Sequence, residues 1–218
     1  MKSQAIVAVY GASGYGREVM PLVKKQFSNK PNTKFYFVDD ANFSGGINST
    51  EVLSYSAFIK LEGEKKITVA IADANIRRCL QDKCILDGID VITILSDNCV
   101  VMDEVIVGDG AVLSPFVTLT SNIKIGVGFH ANIYSYVAHD CIIGDYVTFA
   151  PSVKCNGNIH IEDGVYIGTG AIIKQGSPSK PITIGKGAVI GMGSVVTKSV
   201  AAGDVVFGVP AKSIKRGK

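Results

Sequence analysis

The sequence has no tryptophan, three histidines and only 8% aromatic residues, so its core is expected to be aliphatic rather than built on large rings. The five cysteines, Cys79, Cys84, Cys99, Cys141 and Cys155, are odd in number and include no Cys-x-x-Cys pair. Neither a disulfide framework nor a thiolate metal site is indicated, and a reducing cytoplasm is the expected compartment. The N-terminal run AIVAVYGASG is too short to cross a bilayer and lacks the pattern of an export signal, so no membrane partner is expected. Net charge is only +3, with the basic residues scattered except in the tail AKSIKRGK, which reads as a solvated terminus. That balance does not point to nucleic acid.

What the sequence has in quantity is glycine, 24 residues, within a chain that is 47% hydrophobic. This combination suggests many close turns around an aliphatic interior, and repeats are the first thing to seek. Residues 1–97 show none. They alternate strand-like runs (AIVAVY, KFYFVDD, KITVAIAD, VITIL) with helix-like ones (YGREVMPLVKKQF, NIRRCLQDKCILDG), the signature of an open α/β domain with a mostly parallel sheet. Pro21 is expected to kink or interrupt the first helix.

Residues 98–218 follow a different rule. From Val107 a step of six gives Leu113, Leu119, Ile125, Ala131, Val137, Ile143, Phe149, Cys155, Ile161, Ile167 and Ile173; after KQGSPSKP the register resumes at Ile184, Ile190 and Val196. Neither a helix nor a flat strand has period six. A chain that turns a corner every six residues does, and glycine recurs just after the aliphatic position at 108, 126, 144, 168, 185 and 191. The implied fold is a parallel β-helix of triangular section with three hexapeptides per coil and about five coils, its end covered by the C-terminal tail.

In this frame all three histidines, His130, His139 and His160, take outward positions. His139 is followed by Asp140, a carboxylate able to orient an imidazole for general-base work, although the dipeptide alone reads more readily as a surface pair. No metal site is expected, because the histidines do not share a phase that would converge three ligands. Cys141 falls on an inward position that takes small residues elsewhere, so a packed thiol is expected rather than a nucleophile. Near the N-terminus, GASGYG follows a strand and opens a helix. That turn suits a phosphate, yet its GxxGxG spacing is not the dinucleotide pattern. The next strand ends in Asp39 and Asp40, placed to accept hydrogen bonds from a nucleoside.

The ordered set GASGYGREV, FVDD, AIADANIRR, HDCIIGDYV and GVPAK resembles the NeuD/PglD-like sugar acyltransferases of bacteria over nearly the whole chain. The resemblance implies a Rossmann-like nucleotide-sugar domain followed by a left-handed β-helix, assembled as a homotrimer with acetyl-coenzyme A between neighbouring helices. It further implies that His139 is the base, supported by Asp140. Gly157, Thr169 and Met192 would contact the coenzyme; Ser13, Gly14 and Tyr15 the nucleotide phosphates; Asp39, Asp40 and Ala72 the nucleoside side. Two departures stand out. Many relatives carry a second histidine nine residues after the base, where this chain has Thr148, and the junction that usually reads Ile-Gly is here Ile71-Ala72. The expected activity is N-acetylation of a nucleotide-linked sugar, of the 4-amino-4,6-dideoxy type, for surface glycan. Uridine diphosphate is the first choice of nucleotide, with thymidine and guanosine open. The rival readings are a sugar O-acetyltransferase of the sialic-acid type and a catalytically silent nucleotide-sugar scaffold.

Overall fold

Ala5–Tyr10, all but its first residue buried, forms β1 at the middle of a sheet. Around it the chain lays α1 (Gly14–Gln26), β2 (Lys34–Val38), β3 (Gly46–Ile47), β4 (Thr50–Leu53), α2 (Tyr55–Phe58), β5 (Glu64–Val69), α3 (Ala74–Leu86) and β6 (Asp90–Val91). The sheet order is β3-β4-β2-β1-β5-β6, parallel except for the β3/β4 pair. β1 reads as a continuous apolar run because helices cover a parallel sheet on both faces. The computed structural model describes residues 4–41 and 46–214, and the chain divides into two compact units, Met1–Leu95 and Ser96–Lys218.

The expected interruption at Pro21 does not occur. α1 runs through the proline to Gln26. Val19, Met20 and Val23, on both sides of it, are buried, and that packing holds the turn across the missing N–H. At the other end of α1, Gly16 has no room for a side chain, because a Cβ there would run into the Gly11 carbonyl. Its absence lets the helix start directly over the end of β1.

The second unit is a three-sided stack of short parallel strands. The first face carries Val112–Leu113, His130–Ala131, Thr148–Phe149, Tyr166–Ile167 and Val189–Ile190; the second carries Thr118–Leu119, Tyr136–Val137, Lys154–Cys155, Ile172–Ile173 and Val195–Val196; the third carries Ile123–Ile125, Cys141–Ile143, Ile159–Ile161 and Ile182–Ile184. Register partners on each face are 18 residues apart, as in Leu119↔Val137 and Val137↔Cys155, until the last coil, where the repeat widens to 23, as in Ile161↔Ile184 and Ile173↔Val196. All of the six-step positions from Leu113 to Val196 are buried in one core, and Phe129 meets Phe149 edge to face at 5.2 Å within it. At the C-terminal end Val205–Phe207 extends the first face and Lys212–Ser213 folds back antiparallel on it. The last part of the tail, residues 215–218, lies outside the described residues.

Two expectations need correcting. The recurrent glycines are not the corner residues. Gly108 and its equivalents are required because the next coil passes too close, a Cβ on Gly108 falling 2.6 Å from the Gly126 carbonyl carbon. The left-handed turn comes two residues later, at Gly110, Gly128 and Tyr146 with φ of 69°, 64° and 56°. His130 points outward but is fully buried. Its row on the first face, between Val112 and Thr148, is covered, both neighbours being buried as well.

Phe149→Ala is expected to cost about 3–5 kcal/mol, because the stack cannot collapse around the void without losing its register. Chemical denaturation of the purified chain measures it; Lys124→Ala, at an exposed position on the third face, should stay within about 0.5 kcal/mol of the native protein.

Candidate functional site

The corner between the second and third faces repeats a left-handed residue in successive coils: Glu104, Asn122, Asp140 and Asn158, with φ of 55°, 57°, 58° and 58°. Asn and Asp tolerate this conformation better than other side chains, so Asp140 meets a backbone requirement of the corner. The same turn brings its carboxylate back onto the preceding side chain. His139 Nδ1 lies 2.7 Å from Asp140 Oδ2, while Asn122 Nδ2, one coil earlier, donates to Asp140 Oδ1 at 3.2 Å.

Those bonds, from His139 first and Asn122 second, hold the Asp140 carboxyl below its ordinary value. It is therefore ionised at neutral pH, and the pairing is lost as pH falls through its lowered pKa. An ionised acceptor at Nδ1 assigns the ring proton to that nitrogen and leaves the Nε2 lone pair free. Both side chains are about half exposed, 48% each, so the imidazole is accessible from solvent.

Nε2 faces Gly157, one coil on. A Cβ on Gly157 would lie 2.5 Å from both Nε2 and Cε1 of His139, so the glycine makes the space the ring occupies. The coils are tied here by the Asn158 amide donating to the His139 carbonyl at 3.0 Å and the Gly176 amide to the Gly157 carbonyl at 3.0 Å. The Gly157 amide itself donates to no described residue. Asn156 completes the wall by accepting from Tyr136 Oη at 2.8 Å and donating to the Ile173 carbonyl at 2.7 Å; nothing in the sequence pattern singles it out. A corner that sets an imidazole with an open nitrogen beside an N–H that donates to no described residue can deprotonate an attacking group and stabilise an oxyanion.

Cys141 is packed as expected. Its thiol is buried and turned to the carbonyls of Asn156 at 3.3 Å and His139 at 3.5 Å. The remaining residues expected near the coenzyme are not beside His139 within the chain. Thr148 is buried on the first face, paired between His130 and Tyr166. Thr169 and Met192 are exposed at the corner between the first and second faces, where the Gly193 amide donates to the Thr169 carbonyl at 2.8 Å.

In the first unit Ser13 caps α1 without a side-chain bond to its amides, and Ser13 and Gly14 are exposed at the helix start, while Tyr15 is half-buried. Asp39 braces this turn, accepting from the Ala12 amide at 2.9 Å and the Ala41 amide at 3.0 Å. Asp40 accepts from Tyr10 Oη at 2.5 Å and the Tyr55 amide at 2.9 Å. Burial opposes its charge, but these bonds outweigh it and the carboxyl sits below its ordinary value. The Tyr10 and Tyr55 rings stack at 5.6 Å with Lys83 Nζ 3.9 Å over Tyr55. Ala72 offers its carbonyl to Arg77 Nη1 at 3.0 Å, beside Ile71 at 2.6 Å. Arg77, fully buried, was not anticipated; with Gln81 and Cys84 it forms a buried stripe on α3 at helical spacing, written in residues that read as solvated.

Comparison with known proteins gives a consistent picture. Residues 6–84 match the family described as PglD N-terminal domain. GDP-perosamine N-acetyltransferase of Escherichia coli O157:H7 is 51% identical over 97% of both chains. Among solved structures, WeeI from Acinetobacter baumannii AYE is 56% identical with a TM-score of 0.95, covering 97% of this chain and 100% of that one. The acetyltransferase domain of PglB from Neisseria gonorrhoeae FA1090, in complex with acetyl coenzyme A, is 27% identical with a TM-score of 0.85 over the same shares.

Gly157→Ala is expected to push the imidazole ring of His139 out of its bond to Asp140, while changing unfolding free energy by less than about 1 kcal/mol, because a half-exposed ring can swing into solvent. Imidazole nitrogen chemical shifts read the lost bond. Unchanged shifts would show that the corner has room for the methyl group.

Proposed function

The chain belongs to the family of GDP-perosamine N-acetyltransferase, and on that premise we propose that it moves the acetyl group of acetyl-coenzyme A onto the amine of a nucleotide-linked amino sugar. The observation that carries the chemistry is His139, fixed at Nδ1 by Asp140 and open at Nε2 beside Gly157. In this reading the neutral amine attacks the thioester carbonyl as Nε2 takes its proton. The C–N bond forms, the carbonyl oxygen gains charge against the Gly157 amide, and collapse breaks the C–S bond. The imidazolium then returns its proton to the departing thiolate, so no acetyl-enzyme is formed.

The finer architecture belongs to the same proposal: the three-sided stack is a left-handed β-helix, the first unit a Rossmann-like domain, and the working assembly a cytoplasmic homotrimer. A trimer gives Thr169 and Met192 a role, since from their own chain they do not reach His139 and a neighbouring subunit can present them to the coenzyme, whereas Thr148, buried within its own chain, is left to packing. Ser13, Gly14 and Tyr15 then line the phosphate side of the acceptor, with Asp39 and the Ala72 junction toward the nucleoside. Asp40, occupied by Tyr10 and Tyr55, positions that wall. Guanosine replaces uridine as the first choice of nucleotide, because the 51% identical relative is named for a guanosine-linked sugar.

Thiol release from acetyl-coenzyme A, followed with guanosine-, uridine- and thymidine-diphosphate 4-amino sugars, tests the proposal. Turnover is expected with the guanosine compound, and His139→Ala should lower kcat by at least about 10²-fold while both substrates still bind. Turnover only on hydroxyl acceptors, or a rate indifferent to His139, would overturn it.

A further inference from the structure

Two of the cysteines interrupt rows of the core that are otherwise aliphatic. Strands of the third face open on Ile123, Cys141, Ile159 and Ile182, and strands of the second face close on Leu119, Val137, Cys155, Ile173 and Val196. Both exceptions flank the corner that carries His139 and Gly157. The neighbouring coils show that packing asks only for an aliphatic side chain at these positions, which leaves the sulfur unexplained.

What the two thiols share is one carbonyl. Cys141 Sγ lies 3.3 Å from the Asn156 oxygen and Cys155 Sγ 3.9 Å from it. The sulfurs also bond to each other, and that contact is the first cause that raises Cys155 well above the ordinary thiol value and lowers Cys141 from it. Proton donation therefore runs from Cys155 to Cys141, and from Cys141 to the carbonyl. On its outer side Asn156 is tied through its side chain to Tyr136 Oη and the Ile173 carbonyl, so the residue is held from the core and from the surface at once.

The peptide that begins at this carbonyl ends in the Gly157 N–H, and it is trans. A trans peptide is planar, with its C=O and N–H opposed. A carbonyl drawn inward to buried thiols thus turns the N–H outward, to the side on which the His139 ring is half-exposed. Glycine, the most permissive of residues, does nothing to steady that plane itself. We infer that Cys141, backed by Cys155, is a positioning residue that aims the Gly157 N–H at the oxyanion of the reaction. The inference rests on the proposed acetyl transfer and adds what keeps its N–H donor in place. Neither thiol touches substrate or forms a bond to the acetyl group. An S–H···O bond is weak, so its loss mis-aims the donor and leaves the coil folded.

Two measurements on the full-length protein test this, one of them independent of activity. The sequence holds a single Asn-Gly pair, Asn156–Gly157, so carbon-13 at asparagine carbonyls with nitrogen-15 at glycine amides gives one magnetic resonance signal from this peptide. In Cys141→Ala the carbonyl resonance is expected to move upfield as its hydrogen bond is lost, and in Cys141→Ser to return toward the native position. Cys155→Ala, which leaves the closer thiol in place, should move it in the same direction by less. In turnover with acetyl-coenzyme A and the amino-sugar acceptor, Cys141→Ala should lower kcat by about tenfold, less than outright removal of an oxyanion donor. KM for both substrates and the midpoint of the pH profile should stay as in the native protein, and Cys141→Ser should recover most of the rate. Serine and alanine are close in volume, so a thiol that served packing alone would leave the serine protein no better than the alanine one. That result, or a carbonyl signal unmoved in Cys141→Ala, overturns the inference and leaves the acetyl transfer standing. A native protein with no turnover on any amino sugar overturns the proposed function and takes the inference with it.

Discussion

The corner that carries His139 and Asp140 depends on one spacing, the 18 residues that close a coil and set each residue a strand's width from its equivalent. Residues far apart in sequence become neighbours only through that closure, and the side chains within the stack enforce it. The six-step aliphatic positions form a single buried core, so a slip by one residue would turn that entire set out to water. Asn122, Asp140 and the His139–Gly157 approach are all consequences of this register, and none needs an independent device to bring it about.

The corner also explains why an ordinary structural motif can hold a base. A left-handed residue is needed wherever the second face turns into the third, and Asn or Asp are suited to it. Asn122 and Asn158 fill the position one coil either side of Asp140. A carboxylate in place of the amide keeps the backbone geometry and adds charge directed at the preceding side chain. The ring that receives it stands at the only level of this column where the facing residue of the next coil has been pared to glycine, which the imidazole requires. Structure and chemistry are thus satisfied by the same turn, and the cost of ordering the pair is carried by a scaffold that already fixes the backbone.

Much of this was legible in the sequence. Period six, with aliphatic residues at Leu113, Leu119, Ile125 and onward, has few physical explanations, so the stack, its core and the inward thiol of Cys141 could be read directly. The alternating strands and helices of residues 1–97 were equally plain. What escaped was information that depends on what lies above a residue rather than beside it. His130 has an outward phase, yet its row between Val112 and Thr148 is covered. The glycines at 108, 126 and 144 looked like corners and are close approaches between coils. Arg77 looked like any helix surface arginine, and only the fold shows that it is buried against the Ile71 and Ala72 carbonyls. Asp40 was expected on the nucleoside side, and only the fold shows that Tyr10 and the Tyr55 amide each bond one of its oxygens. A sequence fixes the phase of a side chain well; burial and prior engagement are tertiary facts.

The widened coil shows how such a scaffold gains a local feature without loss of order. Inserted residues in a helix or a flat strand shift the phase of everything that follows. Here Ile173 still pairs with Val196 and Ile161 with Ile184, because the insertion is confined to a corner and leaves the chain by a turn bridged at Ser177 and Lys180. Loop closure over a few residues costs little, and the core pays no penalty in packing. The stack therefore separates two demands that compete in most folds: the faces are constrained to aliphatic residues at fixed intervals, while each corner is free to differ from coil to coil. Along a single corner this chain sets His139, then Gly157, then Gln175, then Lys198. Variation in substrate among chains built this way is expected to concentrate in the corner columns, with the buried six-step positions held to shape and volume alone.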